Sequence, residues 1–120
     1  MKVLLVDDSR FLLTIQTQIL QTLDNLEVFA VQGGELALEA LGNERFDLII
    51  MDCQMPELDG LETTKAIRKL GLNVPIVALT GNDSIEDRKN CSCVGMNGFL
   101  VKPLNINAFN DEMERLHIRF

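Results

Sequence analysis

Apolar residues in this 120-residue chain come in short runs separated by stretches with helical spacing. "KVLLV", "LEVFAV", Leu48 to Met51 in "FDLIIMDCQMPELDG", "VPIVALT" and "GFLV" have the length and the β-branched or aliphatic character of strands. The Leu48–Met51 run is flanked by Asp47 in front and by Pro56, Asp59 and Gly60 behind, as expected of a strand buried on both faces of a parallel sheet. Leu12, Ile15, Ile19 and Leu23 predict a helix with one core-facing stripe. "GGELALEALG" predicts a short helix closed by Gly42, and "LDGLETTKAIRKLG" one stopped by Gly71. Ser84, with Asp87 three residues on, has the form of a capping box opening a helix that Gly95 closes. Asn105 is placed to cap a last helix whose apolar positions are Ile106, Phe109, Met113 and Leu116.

Five strands alternating with five helices give an α/β fold: a doubly wound, five-stranded parallel sheet with helices on both faces and right-handed crossovers. A closed eight-stranded barrel would need roughly twice the length. There are no repeats, linkers or low-complexity segments, so residues 1–120 are expected to form one domain.

Composition narrows the function. With 47% hydrophobic and 24% charged residues and no apolar run long enough for a bilayer, the chain reads as a soluble protein that does not act in the membrane. "MKVLLVDDSR" lacks the shape of a signal peptide, which predicts a cytoplasmic location. A formal charge of −7 argues against direct nucleic-acid binding and suits a site that holds a cation. Cys53, Cys91 and Cys93 match neither a disulfide framework nor zinc knuckles; they read as reduced thiols, with Cys53 and Cys91 packing.

Four of the five strands end in polar groups: Asp7 and Asp8, Asp52, Thr80, and Lys102. Singly, Thr80 is an ordinary strand-end residue, Lys102 a solvated lysine and Asp52 a loop cap; together, at the carboxyl edge of one sheet, they make a crevice of three carboxylates, a hydroxyl and an ammonium. Carboxylates about 4 Å apart repel by roughly 4 kcal/mol per pair at an effective dielectric near 20, so the cluster demands a cation, most simply Mg²⁺. A carboxylate beside Mg²⁺ and Lys, with a hydroxyl donor near, is equipped to form an acyl phosphate by in-line attack on phosphorus. Asp52 is the nucleophile of this reading, with Asp7 and Asp8 holding metal.

"VLLVDDS", "LIIMDCQMPELDGLE", "VPIVALTGN" and "GMNGFLVKPL", in this order and over essentially the whole chain, resemble the receiver domain of two-component response regulators. "DCQMPELDGLE" is most similar to receivers carried by hybrid sensor histidine kinases. The resemblance implies strand order 2-1-3-4-5, with the site at the switch between the first and third strands. It implies Asp52 as phosphoacceptor and Asp7, Asp8, Asp52 and the Gln54 carbonyl as Mg²⁺ ligands. Thr80 and Lys102 become phosphate ligands, Thr80 and Phe99 the switch pair, and Lys102–Pro103 a cis peptide. The implied partner is a histidine kinase or a histidine phosphotransfer domain, and the implied state a monomer or weak dimer. Two departures stand out: no output domain follows Phe120, and the switch position is Phe99 where tyrosine is usual. The start of the chain at its first strand favours a receiver cut from a longer protein over a single-domain regulator.

Two rivals share parts of this pattern. A phosphohydrolase working through an aspartyl phosphate needs a second Asp two residues after the nucleophile as general acid, where this chain has Gln54. A receiver-like interaction module that takes no phosphate generally lacks Asp8, Asp52 or Lys102, all present here. Dinucleotide binding and nucleotide hydrolysis fail because "DDSRF" follows the first strand in place of a glycine-rich loop. His117, the only histidine, reads as a surface or packing residue, Glu57 and Asp59 as solvated turn residues, and Gln54 and Asn82 as flanking the approach of water to the site.

Overall fold

A computed structural model, describing residues 1–55, 59–81 and 84–119, turns each apolar run into a strand and each helical stretch into a helix. In chain order these are β1 (Lys2–Val6), α1 (Arg10–Leu20), β2 (Glu27–Val31), α2 (Gly34–Asn43), β3 (Leu48–Asp52), α3 (Gly60–Lys69), β4 (Ile76–Thr80), α4 (Ile85–Cys93), β5 (Gly98–Val101) and α5 (Ile106–Arg115). The strands are all parallel, in the order β2-β1-β3-β4-β5. From β1 the chain steps outward to β2 and then back past β1 to β3, which opens a crevice between the carboxyl ends of β1 and β3.

The two-residue period of the strands divides the core into two clusters. Val3, Leu5, Leu48 and Ile50 pack with Leu13 and Leu20 of α1 and Phe109 and Met113 of α5. Leu4, Val6, Ile49 and Met51 pack with Ala37 of α2, Ile67 of α3 and Cys91 of α4. Each such aliphatic side chain contributes about 1.5–3 kcal/mol relative to exposure, which is why β1, β3 and β4 are apolar at nearly every position. β2, at the sheet edge, is only half-buried.

Ser9, Asp59, Ser84 and Asn105 cap α1, α3, α4 and α5, each side chain accepting a backbone N–H three residues on. Gly71 and Gly95 stop α3 and α4 at φ of +81° and +106°, which an L side chain rarely adopts. The Lys102–Pro103 peptide is cis.

Three local expectations are corrected. The buried stripe of α1 is Leu13, Gln16 and Leu20, while Leu12 is half-buried and Ile15 is 37% exposed. "RFLLTIQTQIL" is apolar on two adjacent arcs, so periodicity alone does not set its phase; Ile19 borders the core, and Leu23 reaches it from the turn after the helix. α2 runs through Gly42 to Asn43, whose amide donates to the Glu39 carbonyl, before Glu44 turns extended. Asp59 is an N-cap whose carboxylate accepts the Glu62 N–H at 2.8 Å, so it is a structural residue of α3 and not a solvated turn residue. Pro56, Glu57 and Asn82 lie outside the described residues. Among the described residues no helix is long and apolar enough to cross a membrane.

Candidate functional site

The strand order places the carboxyl ends of β1, β3, β4 and β5 side by side, and with them Asp7, Asp8, Asp52, Thr80 and Lys102. Asp52 is the last residue of β3 and Asp7 the first after β1, both buried. One oxygen from each of Asp7, Asp8 and Asp52 lies within 4.8 Å of the others.

Local backbone geometry aims these groups. Asp7 donates its N–H to the Val31 carbonyl at the end of β2 and accepts the Ser9 N–H on Oδ1 at 3.0 Å. Ser9 in turn caps α1, so the first strand cannot leave the sheet without passing both acids through the crevice. Asp8, half-buried, is held by its carbonyl, which accepts Gln32 Nε2 at 3.0 Å. On β3, the Gln54 N–H donates to Asp52 Oδ1 at 3.1 Å, and the Cys53 N–H bonds the Leu79 carbonyl. Gly60, at the start of α3, lies directly beneath: a Cβ there would collide with the Asp52 carbonyl oxygen and stand 2.9 Å from Cys53 Cα.

Lys102 crosses the crevice. Its backbone N–H bonds the Thr80 carbonyl at 2.7 Å, continuing the β4–β5 pairing by one step. Its ammonium is 3.1 Å from Asp52 Oδ1 and 3.5 Å from Asp7 Oδ2. Burial alone would lower the Lys102 pKa, but the two carboxylates outweigh it and hold the ammonium above its ordinary value. Asp52 moves the other way to its usual preference: burial, with the Asp7 charge adding to it, pushes its carboxyl up to about 6 against the pull of the Gln54 N–H and Lys102. Thr80 is buried at the end of β4, beside this pair in the sheet.

The electrostatics fit a hard divalent cation. Three carboxylates share the crevice and the Lys102 ammonium pairs with two of them; among the described residues Asp52 Oδ2 is buried with no hydrogen-bond partner, while Asp7 Oδ2 has only the Lys102 ammonium. Buried, unpartnered carboxylate oxygens are costly unless a cation meets them, and an all-oxygen set matches Mg²⁺ chemistry.

The structure thus brings together Asp7, Asp8, Asp52, Thr80 and Lys102. Gln54 is exposed at the rim, its backbone at the site and its Oε1 4.0 Å from where a Gly81 Cβ would lie. Phe99 is set back: it pairs with Ala78, two residues before Thr80, and its ring lines a groove of about 680 Å³ between α4 and α5. Cys53 and Cys91 pack with their sulfurs 3.6 Å apart, and burial pushes both thiols up, away from reactivity. His117 follows α5 as a left-handed residue, φ 59°, away from the crevice. Sequence reasoning missed Ser9, Gly60 and Glu112. The "DDS" and "DG" pairs signalled the first two, whereas Glu112 is visible only once α5 lies against β5.

A parallel sheet of this order with its site at the β1/β3 switch point defines a flavodoxin-like α/β domain, here with an acidic crevice at that point. The family model for the response regulator receiver domain matches residues 3–114, and the chain belongs to that family. "Hybrid signal transduction histidine kinase B" of Dictyostelium discoideum is 38% identical over 131 residues, covering 98% of this chain and 7% of that protein. Chemotaxis protein CheY4 of Vibrio cholerae is similar at 36% identity and a TM-score of 0.87, covering 95% of this chain and 96% of that one. The receiver domain of sensor histidine kinase PA1611 from Pseudomonas aeruginosa PAO1, solved with a magnesium ion coordinated in its active-site cleft, is 37% identical, TM-score 0.83, covering 95% of this chain and 94% of that one. The chain thus spans a small fraction of the curated kinase and nearly all of the solved receivers.

Proposed function

We propose that residues 1–120 act as one receiver domain in which Asp52 accepts a phosphoryl group from a phosphohistidine, carried by a histidine kinase or a histidine phosphotransfer domain. The observation that carries this reading is the Asp52 carboxylate itself, buried at the end of β3, 3.1 Å from Lys102 and with Oδ2 unpartnered among the described residues. That oxygen attacks phosphorus; the phosphorus–nitrogen bond of the donor breaks, and the imidazole nitrogen keeps the electron pair. Lys102 holds the charge on the phosphoryl oxygens, and Thr80 donates its hydroxyl to one of them. Asp7, Asp8, Asp52 and the Gln54 carbonyl would hold Mg²⁺. When bound, the ion neutralises charge on the transferring group, as in other phosphoryl transfers.

Once Asp52 carries phosphate, Thr80 moves toward it, and the Phe99 ring moves into the space released, changing the surface between α4 and α5. The chain catalyses only its own phosphorylation and dephosphorylation: Gln54, two residues beyond the nucleophile, is an amide with no titratable proton and cannot serve as the general acid of a phosphohydrolase. Three unbridged cysteines fit a reducing compartment, the cytoplasm.

Intact-mass measurement after acetyl phosphate, with Mg²⁺ or with EDTA, tests the reading. The expected result is one retained phosphoryl group that requires Mg²⁺. Many turnovers of released phosphate with none retained would make the chain a hydrolase, and no reaction at all would make it an interaction module.

A further inference from the structure

Phe99 is gripped from two sides. Its backbone N–H, on the outer edge of β5, donates to Glu112 Oε2 of α5 at 2.7 Å. Arg115 holds that carboxylate at two points, Nε to Oε1 at 2.6 Å and Nη2 to Oε2 at 3.0 Å. From α4, the Arg88 guanidinium lies over the ring, its Cζ 4.6 Å from the centroid. The Arg115 hydrogen bond, with smaller help from the Phe99 N–H and from Arg88, keeps Glu112 below the usual carboxylate range, so the anchor is charged at neutral pH.

We propose that Arg88 is the latch of the Phe99 switch: its guanidinium holds the ring in the groove between α4 and α5 in the resting state and lets it go when Asp52 is phosphorylated. The proposal rests on the reading of Phe99 as a switch residue given above. A phenyl ring has no hydroxyl, so no hydrogen bond can hold it in either position. A cation on its face supplies an attraction that needs no polar group on the ring. Glu112 fixes the strand backbone at the same residue, leaving the side-chain torsion of Phe99 as the coordinate that moves. Arg88 is itself exposed on α4, so departure of the ring changes how its guanidinium is presented at the surface while the helix stays folded.

The test uses the full chain with labelled phenylalanine, observed by NMR with and without Mg²⁺ and beryllofluoride, the Phe99 signal assigned by its loss in Phe99→Leu. In Arg88→Met, which keeps the aliphatic stem and loses the cation, the resting ring signal is expected to move toward its beryllofluoride position. Its population there should rise about two- to fivefold, and beryllofluoride should bind more tightly by a similar factor. Arg88→Lys should fall between, since an ammonium stacks less well than a planar guanidinium. An unchanged ring position and affinity in Arg88→Met, with a wild-type ring that does respond to beryllofluoride, would overturn the latch alone. A wild-type ring that does not respond while Asp52 and Thr80 do would overturn the switch and the latch with it. A wild type that binds no beryllofluoride would remove the phosphoacceptor reading beneath both.

Discussion

Asp52 carries opposing influences on a single carboxyl group: burial and Asp7 favour its protonated form, while the Gln54 N–H and Lys102 favour the carboxylate. A carboxylate in that balance is costly to keep charged, and a bound Mg²⁺ would relieve the cost by meeting the oxygens that Lys102 leaves uncovered among the described residues. Asp8 is the acid of the cluster that no ammonium reaches among the described ion pairs, which under the proposed function leaves its carboxylate for the metal. Asp8→Ala is expected to weaken Mg²⁺ binding by more than the roughly 10-fold that loss of an outer-shell partner costs. Titration of Mg²⁺ followed by amide NMR checks this, and an unchanged affinity would remove Asp8 from the ligand set. These residues were legible in the sequence because strand ends are set by apolar runs, and the acids, Thr80 and Lys102 stand where those runs stop.

At the scale of elements, Gly60 joins the start of α3 to the back of β3. Its missing Cβ lets the helix start lie against the Asp52 carbonyl and Cys53. Because the obstructing atoms are backbone, Gly60→Ala should shift the end of β3 and destabilise the fold by about 1–3 kcal/mol. Urea unfolding measures the loss, and phosphorylation by acetyl phosphate should slow in the same variant; a wild-type midpoint would show that α3 can slide without cost. Element type and order follow from periodicity, but helix phase does not, as α1 shows: Gln16 is buried and Ile15 exposed where Leu13 and Leu20 join the core cluster of β1 and β3. The grip of Glu112 and Arg88 on Phe99 was illegible for a related reason. It joins α4, β5 and α5, and nothing in the local pattern of any one of them announces it.

For the whole molecule, Asp52 and Glu112 give the metal-free chain a stability profile with two limbs. Asp52 holds a proton more readily folded, near pH 6, than unfolded, near 3.8; stability therefore falls as pH rises through that window and stays reduced above it. Glu112, lowered by Arg115, behaves oppositely: its contribution is present above the ordinary value of 4.5 and is lost as pH falls through its folded pKa. Without Mg²⁺ the chain should be roughly 1 kcal/mol more stable at pH 5 than at pH 7.5, within the 1.36 kcal/mol that each pKa unit represents. Chemical unfolding in EDTA checks this. Mg²⁺ should raise stability at pH 7.5, and Asp52→Asn should flatten the slope between pH 5 and 7.5; an equal slope in that variant would mean that another group titrates.

Under the proposed function Asp52, among the three clustered aspartates, takes the phosphoryl group. Borohydride reduction of the phosphorylated chain, followed by peptide mapping, converts an acyl-phosphate aspartate into homoserine and so marks the residue. Homoserine is expected at position 52 alone and none in Asp52→Asn; homoserine at position 7 or 8 in the wild type, or equal phosphorylation of Asp52→Asn, would contradict Asp52 as the phosphoacceptor.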